Sequence, residues 1–92
     1  MQFKEKEAIM RYLFAMRNKR ILINRMKDQN RDIFLDAIDN GLNSLPAQLR
    51  EIIYNEFVLN MPSDWWLDYY SKSSYYRLKN KAIDIFLDCL KW

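Results

Sequence analysis

Across 92 residues the chain holds one glycine, Gly41, and two prolines, Pro46 and Pro62. Sheet proteins place those residues in their many turns, whereas helices joined by short connections need few of them, so the scarcity predicts an all-α fold. A chain of this size forms one domain that buries somewhat over ~60% of its extended surface. No internal repeat, low-complexity run or Gly/Ser linker divides it. Cys89 is the single cysteine, so packing alone must hold the core, as in cytoplasmic proteins, and its place on an apolar stripe reads as core filling. The longest apolar run, Tyr12 to Met16, is five residues, against the ~20 of a bilayer-spanning helix and the ~7 to 15 of a signal peptide. A cytoplasmic protein without membrane contact is expected.

Missing residues narrow function further. There is no histidine, the commonest general base and a standard metal ligand. A phosphate-cradling loop needs several glycines where the backbone meets the ligand. Of the 12 carboxylates, seven lie between residues 32 and 70, at spacings that read as solvated helix faces. The expectation is a protein that is not an enzyme, with no catalytic residues, no cofactor and no metal.

Charge is segregated along the chain. Residues 1–31 carry nine Lys/Arg against three acids, residues 32–70 one against seven, and residues 71–92 five against two. Basic ends around an acidic middle suit a polyanion such as nucleic acid. Periodicity predicts a small bundle of about five helices. The first runs from Phe3 to Lys27 on a stripe of Ile9, Leu13, Met16, Ile23 and Met26, with Asn18-Lys19-Arg20 as a candidate bend. The second runs from about Gln29 to Asn43 on Phe34, Ile38 and Leu42. Ser44-Leu45-Pro46 reads as the start of a third, reaching about Leu59 with Leu49, Ile52, Ile53 and Phe57 inward. Ser63 would cap a short fourth helix, Asp64 to about Tyr70, with Trp65 or Trp66 and Tyr69 on one face. After Ser71-Lys72-Ser73, a last helix from about Lys72 to Leu90 would bury Tyr75, Leu78, Ala82, Ile85 or Phe86, and Cys89.

Opposite that last stripe lie Lys72, Ser73, Tyr76, Arg77, Lys79, Asn80 and Lys81, and residues 71–81 hold four Lys/Arg and no acid. In a helix-turn-helix the second helix enters the DNA major groove by its N-terminal end. The predicted order of short helix, tight turn and longer basic helix over Ser63 to Leu90 has that arrangement. The stretch Ser44-Leu45-Pro46 through Arg50-Glu51-Ile52-Ile53, followed by Ser71-Lys72-Ser73-Ser74-Tyr75-Tyr76-Arg77-Leu78-Lys79-Asn80-Lys81-Ala82, resembles the sigma-70 region 4-like helix-turn-helix domain, and within it the small phage transcriptional regulators of the ArpU and RinA type. The likeness covers residues 44 to 90, about half the chain. Where related helix-turn-helices place a glycine and an aliphatic residue before the cap serine, this chain has Asp68, Tyr69 and Tyr70.

The resemblance implies a sequence-specific, double-stranded DNA-binding transcription regulator of phage or mobile-element origin, with bacterial RNA polymerase as a candidate neighbour. Residues 44–92 would be the helix-turn-helix part. Residues 1–43 would be a helical part suited to homodimerisation or partner contact. The DNA-binding set is Lys72, Ser73, Ser74, Tyr76, Arg77, Lys79, Asn80 and Lys81. Arg77 can take a guanine bidentately, or can stand solvated and paired with Asp68 or Asp84. Lys72, Lys79 and Lys81 suit phosphate anchoring, because lysine presents a point charge without a planar fork. Trp65, Trp66, Tyr69 and Tyr70 read as core, with Trp66 or Tyr70, whichever faces outward, suited to a protein partner. The alternative function is a protein-interaction module binding a regulator or polymerase subunit through Asp32, Asp36, Asp39, Glu51 and Glu56.

Overall fold

A computed structural model describes residues 2–27 and 32–90. Among the described residues there are four α-helices where about five are predicted: α1 (Phe3–Lys27), α2 (Ile33–Asn43), α3 (Ala47–Ile53) and α4 (Lys72–Cys89). There is no strand among the described residues. No helix among them is long and apolar enough to cross a membrane.

α1 runs as one continuous helix through the candidate bend at Asn18-Lys19-Arg20. Its buried residues are Met10, Leu13 and Phe14. The inward face is therefore rotated from the predicted stripe: Ile9 and Met16 are half-buried and Ile23 is exposed. The Met26 side chain lies outside the described residues.

α2 starts at Ile33, later than predicted, because Asp32 is its N-cap. The Asp32 backbone is extended, and its Oδ1 accepts the amides of Phe34 at 2.9 Å and Leu35 at 3.3 Å. The predicted start at Gln29 lies outside the described residues. Ser44 closes α2 instead of opening α3: its Oγ donates to the Gly41 carbonyl at 2.6 Å and its amide to Asn40 O. Pro46 occupies the N-cap of α3, where its missing N–H is harmless. Arg50 of α3 reaches back, donating through Nε to Leu42 O and through Nη2 to Leu45 O. The lone cation of the acidic middle thus satisfies one carbonyl in the last turn of α2 and one in the connection to α3.

α3 ends in a single π turn, Tyr54–Val58, closed by Leu59 N–H to Tyr54 O at 2.9 Å. Asn60 then takes a left-handed backbone, φ 50°, and the chain leaves the helix with Met61 N–H bonded to Asn55 O. The predicted short helix over Asp64–Tyr70 is instead a run of turns. Trp65 N–H bonds Pro62 O, Leu67 N–H bonds Asp64 O and Tyr69 N–H bonds Trp66 O, all three residues apart. The Ser63 carbonyl accepts the Trp66 indole N–H at 2.9 Å. The tight spiral lets Trp66 bury its ring flat on Tyr75, centroids 4.6 Å apart and planes 7° from parallel.

One core joins all the elements. Phe14 is its centre, in ring contact with Phe57 of the π turn at 6.1 Å and with Phe86 of α4 at 5.5 Å. Ile38, Leu45, Ile52 and Ile83 belong to the same buried cluster. Each such side chain contributes ~1.5 to 3 kcal/mol of burial. α4 packs most closely against α3 and has α1 and α2 as its other neighbours, so only one of its flanks stays open.

Candidate nucleic-acid interface

Ser71 caps α4, its Oγ accepting the Ser74 amide at 3.3 Å. The buried ridge is Tyr75, Lys79, Ala82, Ile83, Phe86 and Leu87. Tyr75, Ala82 and Phe86 are where the spacing puts them. Leu78 and Ile85 are only half-buried, and Cys89 is exposed, with its thiol 3.9 Å from the Asn40 carbonyl.

Opposite the ridge, Ser73, Arg77 and Lys81 follow each other at four-residue steps and are all exposed, forming one stripe along the helix. Lys72 and Tyr76 are exposed beside its N-terminal end, and Ser74 is half-buried there. Arg77 and Lys81 make no hydrogen bond or ion pair among the described residues. Asp84, the acid nearest along the stripe, pairs with Lys6 of α1 at 2.5 Å. Two like charges one turn apart cost the helix a few tenths of a kcal/mol. The fold therefore gains nothing from this pair.

Three members of the predicted set stand differently. Lys79 is in the core, its side chain 5% exposed, with Nζ 3.5 Å from both Glu7 and Glu56. The ammonium also lies over the rings of Phe3, Phe57 and Tyr76. It is not on the open flank, so it cannot anchor phosphate. Asn80 is half-buried, its Oδ1 shielded from solvent without a hydrogen-bond partner among the described residues. Tyr76 is open, but its ring is fixed edge-on against Phe3, Trp66 and Tyr75.

Beneath the open flank lies a polar cluster that periodicity does not reveal. The Glu56 carboxylate, 10% exposed, accepts the Tyr75 hydroxyl and the Trp65 indole N–H, the latter at 3.2 Å, and faces Lys79. Burial, and then the Glu56 carboxylate, push the Tyr75 phenol far above its ordinary pKa, so it stays a donor. Four segments of the chain meet at this group: α1 through Glu7, the π turn, the aromatic spiral and α4. A signal was present in the spacing, because Lys79 continues the Tyr75, Ala82, Phe86 ridge at steps of four and three.

The acidic set of the alternative reading is scattered. Glu56 is buried in this cluster. Asp32 is committed to its cap, to Asn24 at 3.1 Å and to Arg20 at 3.0 Å. Only Asp39 and Glu51 of the five are exposed. Of the aromatics, Trp66 is buried and Trp65 and Tyr70 are half-buried, so Tyr69, 74% exposed, is the one that faces outward. The spiral also means that no α-helix directly precedes Ser71, and the short first helix of the expected helix-turn-helix is not formed. Compared with known proteins, the chain matches no family model, no curated protein and no solved structure.

Proposed function

We propose that this is a non-catalytic protein that binds double-stranded DNA through the open flank of α4 and regulates transcription. One observation carries the reading: Arg77 and Lys81 stand solvated on a stripe with Ser73, with no acid among the described residues paired to either. An 18-residue helix is about 27 Å long, and a helix of that diameter fits the major groove. Arg77 is the base reader, Ser73 and Lys72 meet phosphate or base edges near the helix start, and Lys81 anchors phosphate. Asp88 lies further along, where the helix would be leaving the groove. The resemblance of residues 44 to 90 to small phage regulators is what points to a phage or mobile-element source and to bacterial RNA polymerase as a neighbour.

Selection of bound fragments from random genomic DNA, followed by gel-shift titration at two salt concentrations, tests this. Arg77→Ala should cost roughly 1 to 3 kcal/mol at one base position, and Lys81→Ala should weaken all sequences alike and reduce the salt slope by about 1. Retention of every fragment alike, only at low salt, would overturn sequence-specific binding.

A further inference from the structure

Asp84 follows Lys81 by three residues and Arg77 by seven, which puts it on the same open flank of α4. Its side chain is 50% exposed. A bare carboxylate there works against a polyanion in two ways. It lies within a Debye length, about 10 Å at about 0.1 M salt, of any phosphate that Lys81 reaches. At i,i+3 it can also draw the Lys81 ammonium to itself. The charge is met from the far end of the chain. Lys6, 78 residues away in sequence, holds its Nζ 2.5 Å from Asp84 Oδ1, with its side chain only 20% exposed. Packing on either side of Lys6 seats the first turns of α1 along α4: Phe3 lies edge-on to Tyr76, and Glu7 faces the buried Lys79.

We infer that Lys6 is a positioning residue for the DNA-binding flank, cancelling the Asp84 charge and thereby leaving Lys81 free for phosphate. The inference rests on the DNA-binding reading above and adds to it a residue of α1. The competing role for Lys6 is a phosphate contact of its own. The two roles differ in whether Lys6 still matters once residue 84 is neutral.

Gel-shift titration of the whole chain against a fragment that the parent selects from random genomic DNA, at several salt concentrations, separates them through a double-mutant cycle. Lys6→Ala weakens binding roughly five- to tenfold at about 0.1 M salt and lowers the salt slope by about 1, the equivalent of one phosphate contact. Lys6→Arg keeps the parent affinity. Asp84→Asn binds at least as tightly as the parent, and in that background Lys6→Ala changes affinity by less than about twofold. Circular dichroism verifies that each variant is folded, and Asp84→Asn, which preserves the side-chain shape, tests the inference without disturbing α1. Equal losses from Lys6→Ala in both backgrounds overturn it, because Lys6 would then be acting on DNA directly. So does an affinity unmoved by Lys6→Ala, or weaker binding by Asp84→Asn. A parent that retains no fragment even at low salt overturns the DNA reading, and this inference with it, whereas a parent that binds with an additive cycle overturns this inference alone.

Discussion

Replacing Lys79 by methionine separates a core lysine from a DNA contact. Breaking a buried ion pair by removing one partner typically costs ~3 to 5 kcal/mol, because a desolvated charge is left behind. Two features lower the figure here. Glu56 keeps the Tyr75 hydroxyl and the Trp65 indole as donors, and both Nζ to carboxylate separations are long, 3.5 Å. Glu7 loses little, since it retains Arg11 at 2.8 Å and is partly solvated. A loss of about 2 to 3 kcal/mol remains. With a urea slope of about 1 kcal/mol/M for a chain of this size, the unfolding midpoint falls by about 2 to 3 M. Adding Glu56→Gln removes the stranded charge, and the double variant should return to within about 1 kcal/mol of the parent. Urea titration followed by circular dichroism measures all three. A midpoint shift under ~0.5 M for Lys79→Met, or an unchanged midpoint with weakened DNA binding, would refute the placement of Lys79 in the core.

Gly41→Ala should destabilise by about 1 kcal/mol in a thermal melt, although alanine is the better helix former. A Cβ there would lie 2.8 Å from Phe86 Cε1, and that ring is locked against Phe14, so overpacking outweighs propensity. A neutral or stabilising result would mean that the ring can shift. The hydrogen bond from Asn24, followed by Arg20 and the Leu35 amide, holds the Asp32 carboxyl below its ordinary pKa. A lowered folded-state pKa contributes stability that is present above the unfolded value and lost as pH falls through the folded one. Asp32→Asn should therefore melt below the parent at neutral pH, the gap closing at acid pH beneath the usual carboxylate range. A gap independent of pH would show that the charge is idle. The Cys89 thiol should react with a disulfide reagent in the native protein as fast as in denaturant, and a requirement for unfolding would bury it after all.

The long elements are legible in the sequence because many periodic positions vote together. α1 begins and ends where the spacing predicts, and α4 differs by one residue at its end. Shorter segments depend on single side chains whose role only the tertiary neighbours decide. Ser44 could serve either helix it joins, and the open carbonyls at the end of α2 claim it. Ser63 precedes a plausible helical turn, yet stacking of Trp66 on Tyr75 outweighs the regular ladder there. Lys79 was expected in solvent from its charge, against the ridge spacing that puts it inward. The two carboxylates that make burial tolerable come from positions 72 and 23 residues earlier in the chain. For the open flank, the exposure of Arg77 and Lys81 follows directly from periodicity, because no partner among the described residues competes for them.

The parallel contact of Trp66 with Tyr75 also gives the molecule a built-in optical gauge. Two chromophores at van der Waals separation couple their electronic transitions, so this pair, with the rings of Trp65, Tyr70 and Tyr76 packed around it, contributes to the near-ultraviolet dichroism. Because one ring belongs to the spiral and the other to the first turn of α4, the signal reports the seating of that helix on its support, whether or not the remaining helices keep their far-ultraviolet spectrum.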